Sequence, residues 1–154
     1  MLPVSIVGIF CEDIREEKSG QDVIVGTLPD NLSVAKTPGL MPKLSVYLRI
    51  HFDAGGMPPK SISVKMIDTD GTERPLPQWE PALIEQAFTD SRTNQMPIAG
   101  LISKITFSPY PVSSLGRILI VATIDGADHI AGALNVVPDA SASPPPTLQS
   151  SSAS

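Results

Sequence analysis

Nine residues near the middle of the chain, LSVYLRIHF (44–52), restrict the fold more than any other stretch. Leu44, Val46, Leu48, Ile50 and Phe52 are apolar, and Ser45, Tyr47, Arg49 and His51 separate them without a break. Successive side chains of a strand point to opposite faces, so a strict period of two sets one oily row toward a core and one polar row toward water. A helix would scatter the same residues around its circumference. SISVKMI (61–67) repeats the rhythm, with Ile62, Val64 and Met66 expected inward.

The neighbouring segments extend the pattern. SIVGIF (5–10) is apolar on both alternating sets, Ile6 and Phe10 on one side and Val7, Ile9 and Cys11 on the other, which predicts a strand covered on both faces. VIVGTL (23–28) reads as its hairpin partner. With Lys18-Ser19-Gly20 as the loop and Gly20 at positive φ, Ile14 faces Ile24 and Phe10 faces Leu28. GLISKITF (100–107) puts Leu101, Ile105 and Phe107 on one side, with Ser103 interrupting. RILIVATI (117–124) is apolar on both faces and is predicted to be central. DGAD then turns the chain into HIAGALNVV (129–137), which closes the sheet. Between Trp79 and Arg92 the period changes: Leu83, Ile84, Ala87 and Phe88 fall at helical spacing and Pro81 suits a first turn. One short helix near residues 81–89 is expected to cross between sheets.

About eight strands and one helix make residues 1–138 an all-β domain, a two-layer β-sandwich of immunoglobulin-like or related topology. Sixteen prolines and eleven glycines supply the turns. Residues 139–154, Pro- and Ser-rich, carry too little apolar surface to offset their ordering entropy, so a disordered tail is expected.

Charge and cysteine content remove several function classes. A net charge of −5 without a Lys/Arg cluster offers phosphate nothing, so no nucleic-acid partner is expected. No run approaches the roughly 18 apolar residues that span a bilayer, so no membrane is expected either. The opening MLPVSIVGIF lacks a basic leader and a cleavage site, and the single cysteine forms no intrachain disulfide; both point to the cytoplasm. No nucleophile elbow, phosphate loop or C-x-x-C spacing is present, so the chain is expected to be no enzyme and to hold no cofactor.

The densest charge group is Glu12, Asp13, Arg15, Glu16, Glu17 and Lys18. On a strand Glu12 and Asp13 diverge, and Asp13 and Arg15, roughly 6–7 Å apart on one face, are expected to make no direct hydrogen bond. The bland reading is a solvated hairpin end with a local ion-pair network; the sharper one is a recognition patch on Glu12, Asp13 and Arg15. DTDG (68–71) resembles the start of a calcium loop, but the sixth and twelfth positions are Glu73 and Trp79 instead of the required glycine and glutamate, so a tight turn is expected. His51 and His129 read as surface histidines. Cys11, in apolar surroundings, reads as an inert thiol. Trp79 is expected to fill a core edge, with a partner anchor as the alternative. SPPPT (143–147) reads as flexible tail, with a polyproline II ligand as the alternative.

The ordered set FCEDIREE, MPKLSVYLRIHF, the D-x-D-G turn and the terminal IDGADHIAGALNVV hairpin resembles a family of small uncharacterised bacterial proteins whose first strand ends in Cys-Asp-Asp-Ile-Arg. The matching residues are Cys11, Glu12, Asp13, Ile14 and Arg15, glutamate replacing the first aspartate. The resemblance spans roughly Val4 to Val137 and implies a bacterial or phage origin, a sandwich-like domain and a role for Asp13 and Arg15 in the fold. Two functions follow: an interaction protein that binds an unknown protein partner or itself, and a ligand- or cation-binding module built on the acidic loops 12–17 and 68–73.

Overall fold

The computed structural model describes residues 3–139 and 145–149. Eleven strands and one helix appear among them: β1 (Ser5–Glu16), β2 (Asp22–Thr27), β3 (Asn31–Val34), β4 (Gly39–Met41), β5 (Leu44–Asp53), β6 (Ile62–Ile67), β7 (Glu73–Pro75), α1 (Pro81–Thr93), β8 (Ile98–Phe107), β9 (Tyr110–Val112), β10 (Gly116–Ile124) and β11 (Ala127–Pro138). One sheet has the order β2-β1-β5-β8, the facing sheet β3-β11-β10-β6-β7, and β4-β9 forms a separate two-stranded ribbon. Strands β1, β5 and β8 stand where A, B and E stand in an immunoglobulin sandwich, and β6, β10 and β11 stand as C, F and G. The expected disordered tail falls largely outside the described residues.

The core forms where the period-two rows meet. Leu44, Val46, Leu48, Ile50 and Phe52 of β5 are fully buried, facing Ile62, Val64 and Met66 of β6 and Ile118, Ile120, Ala122 and Ile124 of β10. Strand β10 lies in the middle of its sheet, flanked by β11 and β6, which explains its two apolar faces; Val121 on the outer side is buried as well. The polar row of β5 is less uniform than its sequence suggests. Ser45 is completely buried and bonds Thr106 at 2.9 Å, because small side chains sink between larger neighbours. Strand β1 is likewise less covered than expected: Val7 on its outer row is partly exposed.

The β1–β2 hairpin has the expected register, Ile14 against Ile24, and the Leu28 N–H donates to the Phe10 carbonyl at 2.8 Å. Gly20 turns the loop at φ +82°. At Gly8 and Gly132 the two sheets close on each other: a Cβ on Gly132 would lie 2.8 Å from the Gly8 carbonyl oxygen. Strand β11 bulges beside this approach, its register on β10 shifting between Ile120 and Val121.

The helix runs four residues beyond 89. Ile84 and Phe88 point into the core, Phe88 meeting Phe52 at 5.8 Å between ring centroids, while Leu83 stays exposed. Arg92 extends the helix by tying its last turn to the β5–β6 connection, donating to the Ala54 carbonyl at 2.7 Å and to that of Gly56. Strands β3, β4, β7 and β9, three or four residues each, add to the expected set; they are too short to display a period.

Candidate functional site

Every cleft described below is bordered by the β4–β9 ribbon. A tight bend places β4 there: between Lys36 and Gly39 the chain folds close on itself, so that a Cβ on Gly39 would lie 2.8 Å from the Lys36 carbonyl oxygen. Strand β4 thus leaves the sheet that β3 belongs to and pairs with β9, Gly39 opposite Val112 and Met41 opposite Tyr110. Leu40, at the centre of the ribbon, projects into solvent at 70% exposure.

The first cleft, about 350 Å³, is bordered by Glu12, Asp13, Met41, Pro42 and Lys43. Two of the three residues singled out from sequence line it. Asp13 accepts from Lys43 Nζ at 2.5 Å and from Arg15 Nε at 3.4 Å. The direct Asp13–Arg15 contact corrects the expectation from backbone spacing: strand residues two apart are distant at Cα, but an arginine side chain is long enough to reach back. Lys43 holds the Asp13 carboxyl below the usual carboxylate range, with Arg15 adding to it. Glu12 diverges as expected and lies over Gly26, whose φ of +64° and absent Cβ leave room for it. Arg15 stays mostly in water. The ion pairs of the hairpin are long-range as well as local: Lys104 of β8 binds Glu16 at 3.2 Å and Asp22 at 2.8 Å.

The second cleft, about 400 Å³, opens on the other side of the ribbon between Leu40, Val112 and the β6–β7 turn. DTDG is a tight turn there, with Gly71 N–H donating to the Asp68 carbonyl at 2.9 Å and Asp70 accepting from the Thr72 N–H at 2.9 Å. Asp68 is buried, its carboxylate taken by Arg74 Nε at 2.5 Å and by the Tyr110 hydroxyl. Arg74 also sits over the Tyr110 ring, 5.5 Å from its centroid. Burial, and then the Asp68 bond, push the Tyr110 phenol well above its ordinary value. Arg74 and Tyr110 carried no sequence signal, since they are 6 and 42 residues from the carboxylate they serve. Lys43, 30 residues from Asp13, was missed for the same reason.

The third cleft, about 290 Å³, separates β3 from β4 and is lined by Leu32, Val34, Lys36, Leu40, Met41 and Val112 among others.

The remaining candidates lie apart from the ribbon. His51 is half-buried on the outer row of the β5 sheet, opposite Ser5 and Gly100; burial and then Arg49 lower its pKa. His129 starts β11 in the other sheet. Cys11 is buried, donating weakly to the Ser45 carbonyl at 3.7 Å, and burial followed by the Asp13 charge raises its thiol. Trp79 packs against the core, as its packing reading required. Thus Asp13, His51 and Asp68 do not converge. The acidic loops 12–17 and 68–73 border different clefts, and the Asp13 and Asp68 carboxylates are each paired with a cation of the chain itself. No helix among the described residues is long and apolar enough to cross a membrane.

Residues 6–137 match a family of unknown function, DUF6941. No curated protein and no solved structure matches the chain.

Proposed function

The chain belongs to that family, and we propose that it is a non-catalytic interaction module whose ribbon end receives a protein partner. One observation carries the reading: Leu40 stands 70% exposed at the junction of the second and third clefts, with Val112 buried beside it. An apolar side chain lifted into water between two apolar hollows is what an interface anchor looks like before its partner arrives. The ion pairs around it support the same reading. Asp13–Lys43 and Asp68–Arg74 neutralise one another within the chain, which rigidifies the rim and leaves shape and apolar surface as the means of recognition.

The test compares the protein with Leu40→Glu. A partner taken from the native host is purified and titrated against both, with Ile130→Glu, a substitution on the exposed outer row of β11, as control. Affinity at least ten-fold weaker for Leu40→Glu and unchanged for Ile130→Glu supports the proposal. Equal affinity for both variants, or a strict monomer that retains no protein, refutes it.

A further inference from the structure

Resting on that reading, the third cleft indicates how the partner is held. Its walls are two strand edges. On one side, the Asn135 N–H donates to the Asp30 carbonyl at 2.7 Å, which sets the phase of the parallel β3–β11 ladder. In a parallel ladder alternate residues bond to the neighbour. Leu32 and Val34 therefore pair toward β11, and Ser33 turns its N–H and C=O to the open edge. On the other side, Leu40 stands opposite Pro111. Proline has no N–H to exchange, so this pair is the one without direct bonds, and Gly39 and Met41 make the ladder. Leu40 then directs its own N–H and C=O away from β9. Ser33 and Leu40 both line the cleft, and among the described residues neither main chain has a further partner. Unpaired edges of this kind are templates for another strand.

The side chains restrict the occupant. Leu32 and Val112 are buried in the floor, so alternate residues of an inserted strand meet an apolar surface. The cleft is bordered by one charged side chain, Lys36, which is exposed and has no ion-pair partner among the described residues.

We propose that the β3–β4 cleft binds an extended segment of a partner protein by strand addition, with main-chain bonds to Ser33 and Leu40, an apolar residue over Leu32 and Val112, and a carboxylate at Lys36. This is the strand-addition mode in which backbone bonds supply affinity and alternate side chains supply selectivity.

The chain's own C-terminal segment is the rival occupant, because Pro138, which precedes it in the sequence, is paired with Val34 at the wall of the cleft. The experiment separates the two. Fluorescein-labelled ten-residue peptides alternate Val with Ser or Thr and end in Asp or Glu; a matched set ends in Lys. Fluorescence polarisation is read with the full chain, with Lys36→Glu and with a chain cut after Pro138. Saturable binding of the acidic set, at least ten-fold weaker binding of the Lys set, and reversal of that preference by Lys36→Glu are expected. N-methylation of peptide amides should abolish binding in one alternating phase and spare it in the other. Binding that strengthens ten-fold or more on truncation would assign the cleft to the chain's own tail and overturn the partner assignment. Absence of saturable binding by either set overturns strand addition; if the Leu40-dependent partner still binds, the interaction function stands without it.

Discussion

Replacing Tyr110 by Phe deletes one oxygen from a buried polar group and leaves the ring in place against Phe107, whose centroid lies 5.5 Å away. The hydroxyl donates to Asp68, both residues are buried, and Arg74 holds the second carboxylate oxygen. Hydrogen bonds to charged groups contribute about 1.5–3 kcal/mol. Because Asp68 keeps Arg74, the lower part of that range applies, and Tyr110→Phe should cost about 2 kcal/mol. For a chain of this size that lowers Tm by about 4–8 °C. Urea unfolding followed by circular dichroism measures it, with an unchanged slope confirming that the same surface is exposed. A loss below about 0.5 kcal/mol would show that the hydroxyl is not committed to Asp68, and the account of the second cleft would fail.

The same substitution carries a pH signature. The phenol's pKa is raised in the folded protein, so the folded state holds its proton more tightly than the unfolded one, which releases it near pH 10. The stabilisation is complete below pH ~10 and is lost as pH rises through the folded value. The gap between the protein and Tyr110→Phe should therefore be constant from pH 6 to 9 and narrow above 10; a gap that widens there contradicts the assignment.

Four further outcomes follow from the packing. Gly20→Ala should cost about 1 kcal/mol, for its φ of +82° alone, whereas Gly26→Ala should cost more, because Glu12 must also move; the excess should vanish in a Glu12→Ala background. Lys43 depresses the Asp13 carboxyl, so the stability from this pair is present above pH ~4 and lost as pH falls through the folded value; Lys43→Met should give a flatter denaturation profile between pH 2 and 5. Phe88→Ala, at a fully buried site against Phe52, should cost about 3–5 kcal/mol by chemical denaturation. Cys11, buried and with its thiol raised, should react with a disulfide reagent at pH 8 only at the rate of global opening; fast labelling of the folded protein would contradict that burial.

What the sequence made legible depended on length. Strand β5 spans ten residues and its oily row is unambiguous, and the β1–β2 register followed from one glycine and two isoleucines. Strands β3 and β4 hold four and three residues, which is too few for a period; their existence is dictated by the neighbours that accept their backbone bonds. The charge cluster at 12–18 was visible because it is contiguous, while the lysine that neutralises Asp13 and the arginine and tyrosine that neutralise Asp68 are brought in by tertiary structure.

That difference bears on where function resides. Side-chain motifs are local and leave a trace in composition, but a strand-addition site consists of main-chain groups left without partners, and every residue except proline has the same ones. Ser33 and Leu40 are ordinary residues in a sequence scan. They become distinctive because β4 leaves its sheet after the turn at Lys36–Gly39 and because Pro111 fixes the phase of the ribbon. Pro111 is the one trace of this arrangement in the sequence: within a strand, proline is tolerated where its missing N–H faces away from the partner, so Leu40 opposite it must be turned outward too. Pro111→Ala restores an N–H on the outer side of β9 and leaves the β4 phase unspecified. If the cleft owes its open edge to that phase, peptide affinity should fall in Pro111→Ala while the Asp68–Tyr110 contribution to stability is retained.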